Sequence, residues 1–295
     1  MPIIKKNDVM PERPVIIVLY GTPGTGKTSL ANTSKNPILI DTDRGSDRAS
    51  NRVDTLMASK WIDIDNEKEA IKTYDTVVID TAKSLLDDYL SDYVVSQNYK
   101  LKSNGLKRFG EMAEKFKEFV NFLRQNSSDI IFVCHDKETA EGDVIKHSPE
   151  CTGQSKDLLL RIADQVGYVT MVNGQRTIVF DPTDTTVGKN VAQIPPMRIP
   201  DTASVDFQNC MADIIDRVKK SLVNKSEAQK AAQAQLEEAT AMLNNAKTVE
   251  DANELISISN NLPKPMQTAF KKKVAKEMEA KGFIYSIKEG KFVVS

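Results

Sequence analysis

Short apolar runs alternate with amphipathic stretches over the first half of the chain. Continuous runs of apolar, mostly β-branched residues predict strands that are buried on both faces of a sheet. We expect such strands at residues 15–20, 37–41, 76–80 and 129–134. Helical periodicity lies between them, at 66–74, at 82–95 and in a stretch that places Phe109, Met112, Phe116, Phe119, Val120 and Leu123 on one face. The pattern predicts an α/β fold with a mainly parallel sheet and helices on both faces.

The pattern changes after His135. Runs at 168–172 and 175–180 flank Asn173-Gly174, a dipeptide typical of tight hairpins, so an antiparallel extension of the sheet is expected. Residues 181–204 are rich in Pro, Thr, Asp and Gly and predict an irregular surface stretch. A helix from 207 to about 223 is expected to close this domain, which we place at 1–222.

A second domain is expected at 223–295. Its composition shifts to Ala, Gln, Glu and Lys, which predicts a helix at 226–246. The capping box at Thr248-Val-Glu-Asp251 predicts the start of a second helix, and a third should follow Pro263 and Pro265. Runs at 283–287 and 291–294 around Glu289-Gly290 predict a small terminal hairpin.

Composition narrows the class of protein. The chain has 295 residues, with 40% hydrophobic and 27% charged residues, which is ordinary for a globular protein. A formal net charge of −1 argues against a surface that grips nucleic acid everywhere, so any such contact must be local. Three scattered cysteines without a zinc-finger spacing favour reduced thiols. With no apolar run of membrane-spanning length and no signal-peptide pattern, we expect a cytoplasmic protein without membrane contact.

A nucleotide-binding motif directly follows the first predicted strand. Residues 21–28 read GTPGTGKT, a complete G-x-x-x-x-G-K-[ST] phosphate-binding loop between a strand and a helix. Glycines allow the backbone amides to turn toward a phosphate, Lys27 would reach the β- and γ-phosphates, and the Thr28 hydroxyl would bind Mg²⁺. The predicted nucleotide-binding residues of this segment are Gly21, Thr22, Pro23, Gly24, Thr25, Gly26, Lys27, Thr28 and Ser29.

Three polar side chains at strand ends complete the predicted site. Asp80 ends the third strand, where a carboxylate would hold Mg²⁺. Asp43 lies two residues beyond the second strand and is our candidate for orienting or deprotonating the attacking water. The alternative is that Asp41 and Asp43 only cap a strand and start a turn. His135 ends the fourth strand and would face the γ-phosphate, although a polar residue is also a common way to leave a sheet.

ILIDTD, TVVIDT and IIFVCH, in this order behind GTPGTGKT, resemble the core of RecA-like recombination ATPases. They are most similar to compact phage-borne ATP-binding proteins of single-strand annealing and recombination. The resemblance covers about residues 12–220. It implies that Lys27, Thr28 and Asp80 bind MgATP, that Asp43 takes the position of the catalytic acid and that His135 is the sensor. It also implies a homo-oligomer in the host cytoplasm.

The resemblance further implies a place for single-stranded DNA. Two segments correspond to DNA-facing loops of RecA-like proteins, residues 97–109 and 136–149. The first offers Tyr99, Lys100, Lys102, Lys107 and Arg108, since lysines over phosphates and a stackable ring suit sequence-independent binding. The alternative is an ordinary solvated loop. The second segment is acidic, so direct phosphate contact is not expected there.

The chain departs from the family pattern at two positions. The catalytic acid of RecA is Glu, and Asp43 is one methylene shorter, which predicts slow hydrolysis. Relatives often carry a basic pair that reaches the ATP of a neighbouring subunit. Here Lys189 matches it, but Val191 stands where an Arg is frequent.

Two hypotheses follow for the function. The first is a slow, Mg²⁺-dependent ATPase acting on single-stranded DNA in phage-type recombination, annealing or replication. The second is a nucleotide-gated adaptor or loader with little turnover that switches a protein contact through residues 225–295, for example with a single-strand-binding protein or another replication partner. The lysine-rich C-terminal end could contact DNA or an acidic partner, although a solvated helix is the commoner reason for such a composition.

Overall fold

The computed structural model describes residues 11–262, 264–286 and 290–294, apart from the side chains of 224–226, 228, 229, 265 and 294. The chain folds into two compact units. The larger unit is Glu12–Leu222, and the smaller unit contains Val223–Ser295.

The larger unit is a sheet of ten strands with helices between them. Its first elements are β1 (Ile16–Gly21), α1 (Lys27–Ala31), β2 (Pro37–Asp41), β3 (Asp54–Met57), α2 (Trp61–Ile71) and β4 (Thr76–Asp80). A π-helical segment at Ser84–Leu90 leads into α3 (Ser91–Gln97), α4 (Gly105–Gln125), β5 (Asp129–Glu141), β6 (Val144–Pro149) and α5 (Gly153–Ile162). The unit continues through β7 (Gln165–Val172), β8 (Gln175–Val179), β9 (Lys189–Asn190) and β10 (Met197–Arg198) into α6 (Cys210–Asn245).

The main sheet has the strand order β10-β8-β7-β1-β5-β4-β2-β3. The six strands from β7 to β3 in this order are parallel to one another. Strand β8 is antiparallel to β7, and β10 is antiparallel to β8. The predicted fold class, a mainly parallel P-loop sheet with an antiparallel extension, is therefore confirmed. Register aligns Gly21 with His135 and Asp41 with Asp80, so the strand ends that carry the predicted chemistry meet at one edge.

Both faces of the sheet are covered, which explains why the strands lack polar alternation. On one face Ile16, Val18 and Tyr20 join a core with α2, α4 and α5. On the other face Ile17 and Leu19 pack with α1 and the first turns of α6. All residues of β1 are buried. The strand that carries the phosphate-binding loop is thus held by side chains on both sides.

The structure corrects the prediction of a loop at residues 136–149. Strand β5 does not end at Cys134 but runs to Glu141 and pairs with β6, from Asp136 opposite Pro149 to Glu141 opposite Val144. Its outer half is exposed and rich in charged residues, so no apolar pattern announces a strand. Backbone pairing across the turn at Gly142, with φ of 62°, supplies the order instead.

Other boundaries also differ from prediction. Edge strand β3 is mostly exposed and was not predicted. Helix α2 begins at Trp61 rather than 66, because the Asp63 carboxylate accepts hydrogen bonds from the amides of Ser59 and Lys60. One helix, α6, replaces the two predicted at 207–223 and 226–246.

The smaller unit has its own core, which includes Leu243, Leu255, Phe270 and Met278. Its further elements are α7 (Val249–Asn261), α8 (Lys264–Ala280), β11 (Phe283–Ser286) and β12 (Lys291–Val294). The predicted capping box starts α7, with the Asp251 amide donating to Thr248 Oγ1 at 3.2 Å. Pro263, Ile287, Lys288 and Glu289 of the predicted helix start and hairpin lie outside the described residues. In the described part of the chain, no helix is both long and apolar enough to span a bilayer.

Candidate nucleotide-binding site

The phosphate-binding loop joins β1 to α1 in a conformation in which Gly21, Gly24 and Gly26 all have positive φ. Gly26 immediately precedes α1 with φ of 81°, in the left-handed region. At Gly21, an added Cβ would lie 2.1 Å from the carbonyl oxygen of Val169 on the neighbouring strand β7. The loop therefore turns tightly against the sheet, as a phosphate cradle requires.

Lys27 is buried within this loop. Its ammonium donates hydrogen bonds to the carbonyl oxygens of Gly21, at 2.8 Å, and Thr22, at 2.9 Å. Burial lowers the pKa of Lys27, and the nearby Asp80 carboxylate opposes that shift. Because these two hydrogen-bond acceptors of the Lys27 ammonium are neutral carbonyls, its charge remains available to a phosphate oxygen.

Thr28 and Asp80 meet across the gap between α1 and β4. Thr28 Oγ1 donates to Asp80 Oδ2 at 2.5 Å. Burial raises the pKa of Asp80, and the Thr28 hydrogen bond opposes this shift. A hydroxyl and a carboxylate oxygen are the hard ligands that Mg²⁺ prefers. These two residues fit a magnesium site beside the loop.

Asp41 and Asp43 have different environments. The Asp41 side chain is buried and accepts hydrogen bonds from the amides of Asp43, Gly45 and Ser46. Burial opposes ionisation of Asp41, but the hydrogen bonds from Ser46, Gly45 and Asp43 outweigh it and lower its pKa below the ordinary value of 3.8. Asp41 therefore shapes the turn, as the simpler alternative supposed. Asp43, in contrast, lines the cavity above the loop.

His135 comes to the same cavity from β5. Its Nε2 lies 3.8 Å from Asp43 Oδ2. Its Nδ1 is buried and has no hydrogen-bond partner among the described residues. An imidazole with an unpaired nitrogen beside a phosphate-binding loop is suited to accept or donate a hydrogen bond to a bound ligand.

The cavity has a volume of about 350 Å³. Of the predicted site residues, it is lined by Pro23, Gly24, Gly26, Lys27, Thr28, Ser29, Asp43, Asp80 and His135. Gly21 and Thr22 contribute the carbonyls that hold Lys27, and Thr25 Oγ1 donates to the Thr22 carbonyl at 2.9 Å. The chain thus gathers the loop and three strand ends around one space.

Four polar residues of the cavity wall were not predicted from the sequence: Arg48, Ser50, Arg176 and Thr202. Arg48 lies in a short 3₁₀ turn at Ser46–Arg48, with its Nη2 3.9 Å from Asp43 Oδ1, and its closeness in sequence to Asp43 was an available signal. Arg176 gave no such signal, because its approach to the loop depends on β7 lying between β1 and β8.

A family model described as an AAA domain matches residues 13–191, more than half of the chain. The chain belongs to this AAA domain family. Nucleotide binding and ATPase activity are the general properties of the family, and the matched range contains the loop, Asp43, Asp80 and His135. A search of curated proteins finds no significant match.

Lys189 lies elsewhere in the AAA domain and does not line this cavity. It belongs to β9, opposite Val166 of β7, and its ammonium donates to the carbonyl oxygen of Ala163 at 2.5 Å, at the end of α5. Within one chain, the structure therefore does not bring Lys189 to the nucleotide site. Its predicted action on a neighbouring subunit's ATP stays a prediction.

The basic segment of the AAA domain also lies apart from the cavity. It forms a 3₁₀ turn at Tyr99–Ser103 followed by the start of α4. Tyr99 is 74% exposed, and the Lys102 ammonium lies 5.4 Å from its ring centroid. Leu101 is buried and anchors the turn. Lys100, Lys107 and Arg108 lie on the same two turns, whose first amides are capped by Asn98 and Asn104.

Proposed function

We propose that the protein is a Mg²⁺-dependent ATPase whose nucleotide state controls its grip on single-stranded DNA in phage-type recombination, annealing or replication. The observation that carries the ATPase part is the placing of Asp43 and His135, 3.8 Å apart, in the cavity that Lys27, Thr28 and Asp80 also line. Binding groups and candidate catalytic groups thus share one space.

The loop and Lys27 bind the phosphates. Backbone amides of the loop point their dipoles at the anion, and α1 begins at Lys27 immediately behind it. The Lys27 ammonium, now on the carbonyls of Gly21 and Thr22, is within the cavity and gains a charged acceptor when phosphate binds. Thr28 and Asp80 would hold Mg²⁺, which neutralises phosphate charge when bound.

Asp43 is the group that takes or orients the proton of the attacking water, and His135 holds the γ-phosphate side of the cavity. The carboxylate of Asp43 is partly exposed toward the cavity, and it lies between Arg48 and the His135 imidazole. As a short side chain it reaches less far than Glu would. We therefore expect low turnover that rises when a ligand tightens the site.

The proposed DNA contact rests on the exposed Tyr99 ring and on the basic residues near it. The Tyr99 ring is exposed and can stack on a base, and Leu101, two residues further along the chain, is buried and anchors the turn. Lys102 lies against this ring, and Lys100, Lys107 and Arg108 add positive charge for phosphates. As part of this proposal, the active form is a homo-oligomer in which Lys189 acts between subunits.

A second candidate function is a nucleotide-gated adaptor with little turnover. Two observations favour it. Lys189 is engaged by the carbonyl oxygen of Ala163 in its own chain, and Asp43 is a short acid. In this alternative, residues 225–295 would switch contact with a protein partner such as a single-strand-binding protein.

Measuring ATP hydrolysis with and without single-stranded DNA separates the two. The first proposal expects Mg²⁺-dependent turnover that DNA stimulates, together with DNA binding that depends on the nucleotide. If the protein binds ATP but neither binds DNA at moderate salt nor changes its turnover in its presence, the DNA proposal is wrong and the adaptor reading gains support.

A further inference from the structure

Arg176 reaches the nucleotide cavity from the side of the loop opposite Asp80. The sheet order places β5 and β4 on one side of β1 and β7 and β8 on the other. Arg176 is the second residue of β8, opposite Met171 of β7. Its guanidinium crosses back over β7, since a Cβ added to Gly26 would lie 2.8 Å from Arg176 Nη1.

The guanidinium is held in place from behind. It lies over the ring of Phe207, with Cζ 5.8 Å from the ring centroid, and Nη2 donates to the carbonyl oxygen of Pro200 at 3.3 Å. The Arg176 carbonyl accepts from the Ile199 amide at 2.8 Å, which ties the strand to the same segment. These contacts fix the planar group and leave Nη1 facing the loop.

This charge lacks an acidic partner. No carboxylate oxygen of the described residues lies within ion-pair distance of Arg176, whereas Arg48 has Asp43 as a neighbour. A half-buried guanidinium that is oriented but not neutralised, beside a phosphate-binding loop, is built to accept an anion.

We propose that Arg176 is a nucleotide-binding residue that contacts, within its own chain, a phosphate retained after hydrolysis. The inference rests on the proposed nucleotide site. Thr28 and Asp80 would hold Mg²⁺, and with it the terminal phosphate, at one end of the cavity, whereas Arg176 lies on the other side of the loop, at Gly26. The guanidinium therefore binds the part of the ligand that ADP and ATP share. It adds to Lys27 a second cation of the same chain at the nucleotide, whereas Lys189 was expected to act on the nucleotide of a neighbouring subunit.

The test is the affinity of Arg176→Gln for MgADP and for a non-hydrolysable ATP analogue with Mg²⁺, measured by calorimetry. We expect both affinities to fall by a similar factor, about 10- to 100-fold, because one charge-assisted hydrogen-bonding group is lost. Arg176→Lys should recover part of the loss, since it keeps the charge but not the fork. The control is Arg198→Gln on neighbouring β10, an exposed arginine outside the cavity, which should bind as wild type does.

Three outcomes would overturn this assignment. If Arg176→Gln binds ADP as tightly as wild type does, Arg176 does not contact a phosphate of ADP. If only the affinity for the ATP analogue falls, the contact is with the γ-phosphate. An equal loss in Arg198→Gln means that the effect is not specific to Arg176. The wild-type protein separates these failures from failure of the proposed function: a wild type that binds ADP but does not hydrolyse ATP contradicts the ATPase proposal and leaves the assignment of Arg176 standing.

Discussion

His135 Nε2 lies 3.8 Å from Asp43 Oδ2, and the two residues approach from β5 and from the end of β2, the strands that flank β4. The distance is slightly too long for a direct hydrogen bond and leaves both groups free to bind a third one. A shared water or phosphate oxygen between them would explain why the two side chains converge.

Replacing Asp43 with Asn should lower kcat by about 100-fold or more, because the proton acceptor for the attacking water is lost. ATP affinity should change by less than about threefold, since Lys27 and the loop remain. Steady-state hydrolysis and nucleotide calorimetry measure the two effects. An Asp43→Asn protein with wild-type turnover would remove this residue from catalysis.

His135→Gln tests whether the two groups act together. If they position the same water or phosphate oxygen, the double variant Asp43→Asn/His135→Gln should hydrolyse ATP no more slowly than Asp43→Asn alone, because residues that act as a unit are not additive. Losses in kcat that multiply would instead mean independent roles. Thermal unfolding of all three variants controls for damage to the fold.

Asp80→Asn should remove the magnesium dependence of nucleotide binding. Affinity for ATP with Mg²⁺ should fall by about tenfold or more, because a charged oxygen ligand is lost. Affinity for ATP in EDTA should stay equal or rise, because a carboxylate that repels phosphate is gone. Equal losses with and without Mg²⁺ would contradict the assignment of Asp80 to the metal.

Asp41→Asn should act on stability rather than on chemistry. The pKa of Asp41 is lower in the folded protein than its ordinary 3.8, so its carboxylate stabilises the fold at neutral pH. We expect a loss of about 1–2 kcal/mol in the free energy of unfolding at pH 7. The difference in the free energy of unfolding between wild type and variant should persist down to pH 3.8 and vanish as the pH falls through the lower pKa of the folded protein. Denaturant unfolding across pH measures it, and a difference independent of pH would contradict it.

Tyr99→Ala and Lys102→Gln test the DNA proposal. Loss of the ring should weaken binding to single-stranded DNA by about 1–3 kcal/mol at all salt concentrations. Loss of the lysine should reduce the slope of log K against log salt by about 0.7, as for one lost phosphate contact. Lys35→Gln, which removes an exposed charge elsewhere in the larger unit, should leave that slope unchanged. Unchanged affinity and slope in both test variants would rule out this segment.

Strands β1, β2, β4 and the inner half of β5 could be predicted from the sequence, because each is buried on both faces and reads as a continuous apolar run. The outer half of β5 could not, because pairing with β6 rather than apolar burial supplies its order. Strand β3, whose residues are mostly exposed at the sheet edge, could not be predicted either. Strands that do not face a core leave little trace in hydrophobic pattern.

The candidate site shows the same division. The loop, Asp80 and His135 follow strand runs directly, so their meeting at one edge could be predicted from a parallel sheet. The different environments of Asp41 and Asp43 could not, because they depend on which carboxylate caps the turn. The role of Arg176 could not be predicted from local sequence patterns, because its approach to Gly26 depends on the position of β8 two strands away from β1.

Strand β5 is unbroken over 13 residues, from the buried sheet through His135 to the tip of the hairpin. A disordered loop in this place would lose conformational entropy whenever it closed on a ligand, which weakens binding. The paired hairpin has already lost that freedom during folding, because its backbone hydrogen bonds to β6 are formed in the free protein. Any partner that binds the β5–β6 hairpin therefore binds a preorganised surface. His135 lies on the same continuous strand as this hairpin.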